Sequence, residues 1–148
     1  MLPLTPWMRY LLRFVAVYNV LAGVVMLVFY HEAYKSMGLK KPDLNMPLQL
    51  VGILVGLFGV GYWMVASRPV ENRNLLVLGF WSKALGSVLG IYYTVQGKLP
   101  PVFLVVLFFA DIIYLWPFAV IIRRLSKIAR AAEAFPRPAS DNGTRRAA

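Results

Sequence analysis

The chain has 148 residues, of which 59% are hydrophobic and 15% charged, with a formal net charge of +10 and a mean hydropathy of +0.64. Soluble globular domains contain about 45–50% apolar and about 25% charged residues, so this composition excludes an ordinary soluble enzyme and predicts a membrane protein. Four spans of about 20 residues take up most of this length, which leaves no room for a separate soluble catalytic domain.

Cysteine is absent, which removes disulfides, thiolate catalysis and thiolate metal sites. The basic residues lie at the ends of apolar runs and in the C-terminal tail. This distribution is typical of membrane topology and of attraction to anionic lipid headgroups. We therefore expect the bilayer as a partner and no nucleic acid.

The first apolar run predicts a helix over residues 7–30. It follows a positive flank, as a signal peptide does, but it exceeds the ~7–15 residues of a signal core, so we expect it to be retained. Arg9 and Arg13 lie in its first two turns and can reach the interface. Asn19, near the middle, shares a face with small residues, a pattern that favours contact with another helix.

The connection over residues 31–46 interleaves charged and apolar residues, which favours a segment along the membrane surface with a helical turn before Gly38. His31 is the single histidine. It is either a metal ligand or proton carrier, or an interfacial residue at a helix end, and the lack of a second histidine nearby favours the latter. We predict no catalytic residue, no metal site and no cofactor.

The second helix is predicted over residues 47–66. Tyr62 and Trp63, close to its end, fit an interfacial aromatic belt. The loop that follows is short, so the second and third helices should be antiparallel neighbours. Spacings of four and three put three glycines on one face, which favours close packing within the chain over dimerisation: Gly52, Gly56 and Gly59.

The third and fourth helices are predicted over residues 75–96 and 102–122. On the third helix, spacings of four, three and four place Lys83 on a stripe with Gly79, Gly86 and Gly90, the face for helix contact.

Asp111 lies near the middle of the fourth helix, and Pro117 predicts a kink about two turns beyond it. A charge at the centre of a membrane costs at least ~2.5–3.5 kcal/mol, which indicates that Lys83 and Asp111 are paired. Lys83 lies sixteen residues before Leu99 and Asp111 twelve after it, an offset that a lysine can span. We expect an ion pair, with Asn19 as a third member of a polar cluster. The pair either fixes helix register or forms a proton-linked or ion-linked site.

Beyond residue 122 the helix should continue as a basic amphipathic exit helix over residues 123–134, against anionic lipid headgroups. Residues 135–148 have little to bury and should form a disordered cytoplasmic tail. The side of the termini receives most of the lysine and arginine, which puts both termini in the cytoplasm. The candidate headgroup contacts are Arg123, Arg124, Lys127 and Arg130.

A set of residues in the second half of the chain occurs in a recognisable order: Gly59 to Tyr62, Arg68-Pro69, Gly79, Lys83, Gly86, Leu99-Pro100 and the segment from Ala110 to Phe118. In this order the chain resembles a group of small four-helix membrane proteins of bacteria, similar in build to DoxX-like proteins. The resemblance implies a compact all-α bundle in the bacterial inner membrane, and it carries no activity.

Three functions remain open from the sequence. The first is a non-enzymatic accessory or scaffold protein of a membrane complex, because no nucleophile, cofactor motif or soluble domain is recognisable. The second is a small transporter or channel, oligomeric because four helices enclose little space, that uses Lys83 and Asp111. The third is a membrane enzyme that acts on lipid or quinone. A membrane-protein partner or a second copy of the chain is expected.

Overall fold

The computed structural model describes residues 3–134, and every regular element within them is helical. Four of the five helices are long and apolar enough to cross a membrane. The all-α four-span class predicted from composition is therefore confirmed. The helices are α1 (Pro6–Val28), α2 (Tyr30–Ser36), α3 (Met46–Ser67), α4 (Arg73–Val95) and α5 (Val102–Ala134).

The observed bounds of the first three spans, and the start of the fourth, lie within two residues of the predicted ones, since apolar runs end where polar loops begin. The expected helical turn before Gly38 is α2, and Gly38 follows it with a φ of 65° that favours glycine. The exit helix is no separate element, because α5 runs without interruption to Ala134. The predicted disordered tail, residues 135–148, lies outside the described residues.

Helices α1 and α3 pack backbone to backbone through glycine. A Cβ atom on Gly23 would lie 2.5 Å from the carbonyl oxygen of Gly52 and 2.9 Å from the amide nitrogen of Gly56. One turn further along, a Cβ on Gly59 would lie 2.7 Å from the carbonyl oxygen of Ala16. Small residues allow this approach, and Gly52 and Gly59 of the predicted stripe face α1 within the chain. Gly56 does not face α1 in the same way, because it lies about 60° from Gly59 around the helix and a Cβ there would have no atom within 4 Å.

Helices α4 and α5 form the second pair. A Cβ on Gly90 would meet the side chains of Leu107 and Phe103 at 3.0 Å. Residues Phe108–Ile112 of α5 form a π-helical turn, while Pro117 lies inside the continuous α-helix that follows. The departure from α-helical geometry therefore lies at Asp111 itself, upstream of the predicted kink.

The stripe predicted on α4 needs one correction. Gly86 is exposed and a Cβ there would have no atom within 4 Å, whereas Ser87 is buried. The physical reason is the 100° turn per residue: Gly79, Ser87 and Gly90 lie within about 40° of Lys83 around the helix, while Gly86 lies about 60° away. Gly86 thus faces the surroundings of the bundle.

The packed core joins the two pairs at the end of the bundle where α1 begins and α5 ends. Tyr62 and Phe118 are its largest fully buried side chains, with ring centroids 5.1 Å apart. The Tyr62 ring covers Gly79, which has no side chain to displace it. The prediction that Tyr62 belongs to an interfacial belt is wrong, because the ring turns into the bundle; Trp63 beside it is 49% exposed.

The last turns of α5 belong to this same core. Leu125 is fully buried, and the Arg124 Nε donates a hydrogen bond to the carbonyl oxygen of Pro3 at 3.0 Å. Arg124, expected at lipid headgroups, thus has an intramolecular contact. The other three candidate headgroup contacts are exposed on the opposite side: Arg123, Lys127 and Arg130.

Candidate functional site

The charged pair lies between α4 and α5, on facing sides of the two helices. The Lys83 Nζ donates to the Asp111 Oδ1 at 2.7 Å and to the carbonyl oxygen of Ala110 at 2.8 Å. The Lys83 side chain is 6% exposed and that of Asp111 is 26% exposed. The structure therefore brings the two residues together as the hairpin register predicted, with the ammonium more deeply enclosed than the carboxylate.

The π-helical turn shapes this contact. Such turns are rare, usually occur singly within α-helices and are frequent at functional sites. In the wider π geometry a carbonyl departs from the α-helical ladder, and here the carbonyl oxygen of Ala110 accepts from the Lys83 ammonium. The main chain of α5 thus supplies a second acceptor to the lysine, which the sequence alone did not indicate.

Aromatic rings pack beside the ion pair. The Lys83 Nζ lies 5.6 Å from the centroid of the Tyr114 ring, within cation–π range. The Tyr114 ring in turn lies 6.5 Å from that of Tyr18 on α1 and 6.2 Å from that of Phe118. Tyr114 and Phe118 belong to the packed core, so the pair lies directly beside that core.

A partly open cavity of about 580 Å³ extends from the pair to α2. It lies between the α1/α3 pair and the α4/α5 pair, which the core holds together at the other end of the bundle. Its wall is mostly apolar. Polar side chains enter it from α1 (Tyr18, Asn19), α2 (Ser36), α4 (Lys83) and α5 (Asp111).

Asn19 is 4% exposed and lines the same cavity as the pair. Its Nδ2 donates to the carbonyl oxygen of Val15 at 2.8 Å, one turn back in α1. Because a carbonyl can only accept, this bond fixes the amide orientation. Asn19 and the pair thus share a cavity, without a hydrogen bond between them among the described residues.

Sequence reasoning missed the contribution of α2 and of Tyr18. Ala33, Ser36 and Met37 line the cavity at the end opposite the core. The mixed pattern of the connection indicated an interfacial segment, but no periodicity shows on which part of a bundle such a segment rests. Tyr18 lies next to Asn19, and its exposure to the cavity follows only from the separation of α1 and α5.

The described residues 3–134 contain no cluster of three or more histidine, cysteine, aspartate or glutamate side chains able to hold a metal ion. His31 is exposed in the first turn of α2. The site is chemically an isolated, hydrogen-bonded ion pair at the inner end of an apolar cavity. Such an arrangement can bind a polar group that is attached to an apolar body.

Comparison of the chain with protein-family models, with curated proteins and with solved structures gives no significant match. The resemblance to DoxX-like proteins therefore stays a prediction.

Proposed function

We propose that this chain is a non-enzymatic accessory protein of the bacterial inner membrane that binds a membrane-soluble amphiphile in the cavity beside Lys83 and Asp111. The observation that carries the proposal is the cavity itself: about 580 Å³, mostly apolar, with the charged pair at its inner end. Ligand pockets have volumes of about 300–1,000 Å³ and combine an apolar wall with a few placed polar groups.

The distribution of basic residues supports an orientation with both termini in the cytoplasm. Arg9, Arg13, Arg68 and Arg73 lie on the side of the termini together with the basic residues beyond residue 122, while Lys35, Lys40, Lys41 and Lys98 lie on the other. In this orientation, α2 and the outer end of the cavity face the extracytoplasmic side. Three exposed basic residues are then available to anionic headgroups: Arg123, Lys127 and Arg130.

The proposed accessory role includes a partner within the membrane, either another protein or a second copy of this chain. Large apolar side chains are exposed along all four spans, and lipid or a neighbouring helix can cover them equally well. Stable isolation of the full chain as a monomer, without any protein that copurifies from mild detergent, would argue against this part of the proposal.

The experiment for the ligand is native mass spectrometry of the full chain, extracted from its membrane in mild detergent. We expect a retained amphiphile in the unaltered protein and its loss in Ala22→Phe, because a phenyl ring at Ala22 would occupy the cavity wall. Val24→Phe, two residues away on α1 and 44% exposed, is the matched control and should retain the ligand. Equal retention in both variants would contradict the proposal.

A second candidate function is proton-linked or ion-linked transport. It is favoured by one observation, namely that an ion pair between a buried ammonium and a partly buried carboxylate lines a partly open cavity. Reconstituted vesicles should then show a proton or ion flux that Asp111→Asn abolishes. Asp43→Asn, in the exposed connection before α3, should leave the flux unchanged. A flux insensitive to Asp111→Asn would remove the pair from the transport mechanism.

A further inference from the structure

The side chains of Lys83, Asn19 and Ser36, which line the cavity, each donate at least one hydrogen bond within the chain. The ammonium of Lys83 has three donors, of which one points to Asp111 and one to the carbonyl oxygen of Ala110, with the Tyr114 ring beside it. The Asn19 amide donates to the carbonyl oxygen of Val15, and the Ser36 hydroxyl donates to that of Ala33 at 2.9 Å.

Two acceptor oxygens in the cavity, one on Asp111 and one on Asn19, accept no hydrogen bond within the described residues. Asp111 accepts at Oδ1, and among the residues that the structure describes nothing donates to its second oxygen. The amide oxygen of Asn19 likewise accepts no hydrogen bond within residues 3–134. Both side chains line the cavity, and Asn19 is more than nine-tenths buried. The Tyr18 hydroxyl can either donate or accept a hydrogen bond.

The charge of the site is balanced as well. Lys83 and Asp111 form a 1:1 ion pair, and within residues 3–134 no other charged side chain lines the cavity. An anionic headgroup would meet the exposed carboxylate before the enclosed ammonium. A cationic headgroup would compete with Lys83 for Asp111 and leave a buried ammonium without its counter-ion, which is costly.

Resting on the proposed function, we infer that the cavity binds a neutral amphiphile whose headgroup donates hydrogen bonds, an alcohol or a phenol with an apolar tail. The hydroxyl donates to the free oxygen of Asp111 or to the amide oxygen of Asn19, and the tail lies along the apolar wall towards α2. Two sources carry this chemistry in membranes, glycerolipids with a free hydroxyl and hydroquinones with a lipid tail.

The test compares each hydroxyl compound with its methyl ether, since the ether keeps the tail, adds one methyl group per hydroxyl and loses the donor. The full chain in phosphatidylcholine nanodiscs is titrated with dioctanoylglycerol and its ether, and with decylhydroquinone and its dimethyl ether. Binding is measured by the shift in thermal unfolding, followed through tryptophan fluorescence. We expect one hydroxyl compound to bind at least about tenfold more tightly than its ether, because the ether leaves a buried acceptor unpaired.

The compound class that binds more tightly than its ether, glycerolipid or hydroquinone, identifies the source of the natural ligand. Equal affinity for hydroxyl compound and ether in both arms overturns the inference, and so does tighter binding of dioctanoyl phosphatidic acid, which has the same tails and an anionic headgroup. The proposed function survives either result if the unaltered protein retains an amphiphile that the Ala22→Phe variant loses. Equal retention of the amphiphile in Ala22→Phe and Val24→Phe would contradict the proposed function, whatever the headgroup comparison shows.

Two variants locate the acceptor. Asn19→Leu keeps a side chain of similar size and removes the amide oxygen that could accept, while Asp111→Asn replaces the charged acceptor by a neutral one. At least one of these variants should reduce the preference for the hydroxyl compound over its ether to about twofold or less. Ser87→Ala, which removes a buried hydroxyl on α4 outside the cavity lining, should leave the preference unchanged. An intact preference in both Asn19→Leu and Asp111→Asn overturns the assignment. The wild-type comparison itself requires no variant to fold.

Discussion

The surroundings of Lys83 explain how a charged side chain is tolerated in the middle of an apolar helix. A carboxylate, a main-chain carbonyl and an aromatic ring replace the water that the ammonium loses. This compensation depends on both partners, because removal of one leaves the other charge buried without a counter-ion. The pair therefore couples the positions of α4 and α5 at a single depth.

We expect Asp111→Leu to destabilise the protein by about 3–5 kcal/mol, since it leaves the Lys83 ammonium unpaired. The double variant Lys83→Met with Asp111→Leu should recover most of this loss, because neither buried charge remains. Unfolding of the purified chain by dodecyl sulfate in mixed micelles measures the difference. Lys98→Met, in the exposed turn between α4 and α5, is the control for loss of a lysine. A double variant less stable than Asp111→Leu would contradict the coupling.

At the scale of the helices, the two pairs hold together by different means. Helices α1 and α3 rely on the absence of side chains, so that their backbones touch at Gly23 and Gly59. Helices α4 and α5 combine the ion pair with side-chain packing over Gly90. The first pair is sensitive to any added atom, while the second is sensitive to charge.

Gly23→Ala should lower the temperature of unfolding, since its methyl group would lie 2.5 Å from a carbonyl oxygen of α3 that cannot move independently of the helix. Gly86→Ala makes the same chemical change on an open surface of α4 and should have no effect or a slightly stabilising one. The measurement is thermal unfolding of both purified variants in one detergent. Equal unfolding temperatures would mean that α1 and α3 pack less closely than described.

At the scale of the whole molecule, a packed end and an open end follow from the positions of the large side chains. The aromatic and aliphatic core occupies the end where the termini lie, and the cavity occupies the end that α2 borders. The packed core and the partly open cavity thus occupy different parts of the bundle.

The orientation of this open end can be measured directly, because the chain has no cysteine that would interfere. A single cysteine is introduced by Lys98→Cys in the turn between α4 and α5, or by Glu71→Cys in the loop between α3 and α4. We expect a membrane-impermeant maleimide to label Lys98→Cys in intact bacterial cells and Glu71→Cys only after permeabilisation, since the positive side should face the cytoplasm. The reverse pattern would invert the proposed topology.

The amino-acid sequence by itself determined the class, the spans and the pairing of the two charges. Length and polarity of apolar runs decide whether a helix crosses a bilayer, and the short turn at Leu99 constrains the register of Lys83 against Asp111. These properties depend on residues that are close together in the sequence. Helical spacing also indicated that Gly52 and Gly59 share the packing face of α3, although it wrongly added Gly56 to that face and Gly86 to the packing face of α4.

Only the tertiary structure decided where the helices part. The cavity exists because the α1/α3 and α4/α5 pairs meet at one end and diverge at the other, a relation between residues far apart in sequence. The π-helical turn that offers the Ala110 carbonyl to Lys83, and the inward turn of Tyr62, likewise depend on neighbours that no sequence period encodes. Local periodicity specifies a helix face, whereas packing of distant helices specifies what that face meets.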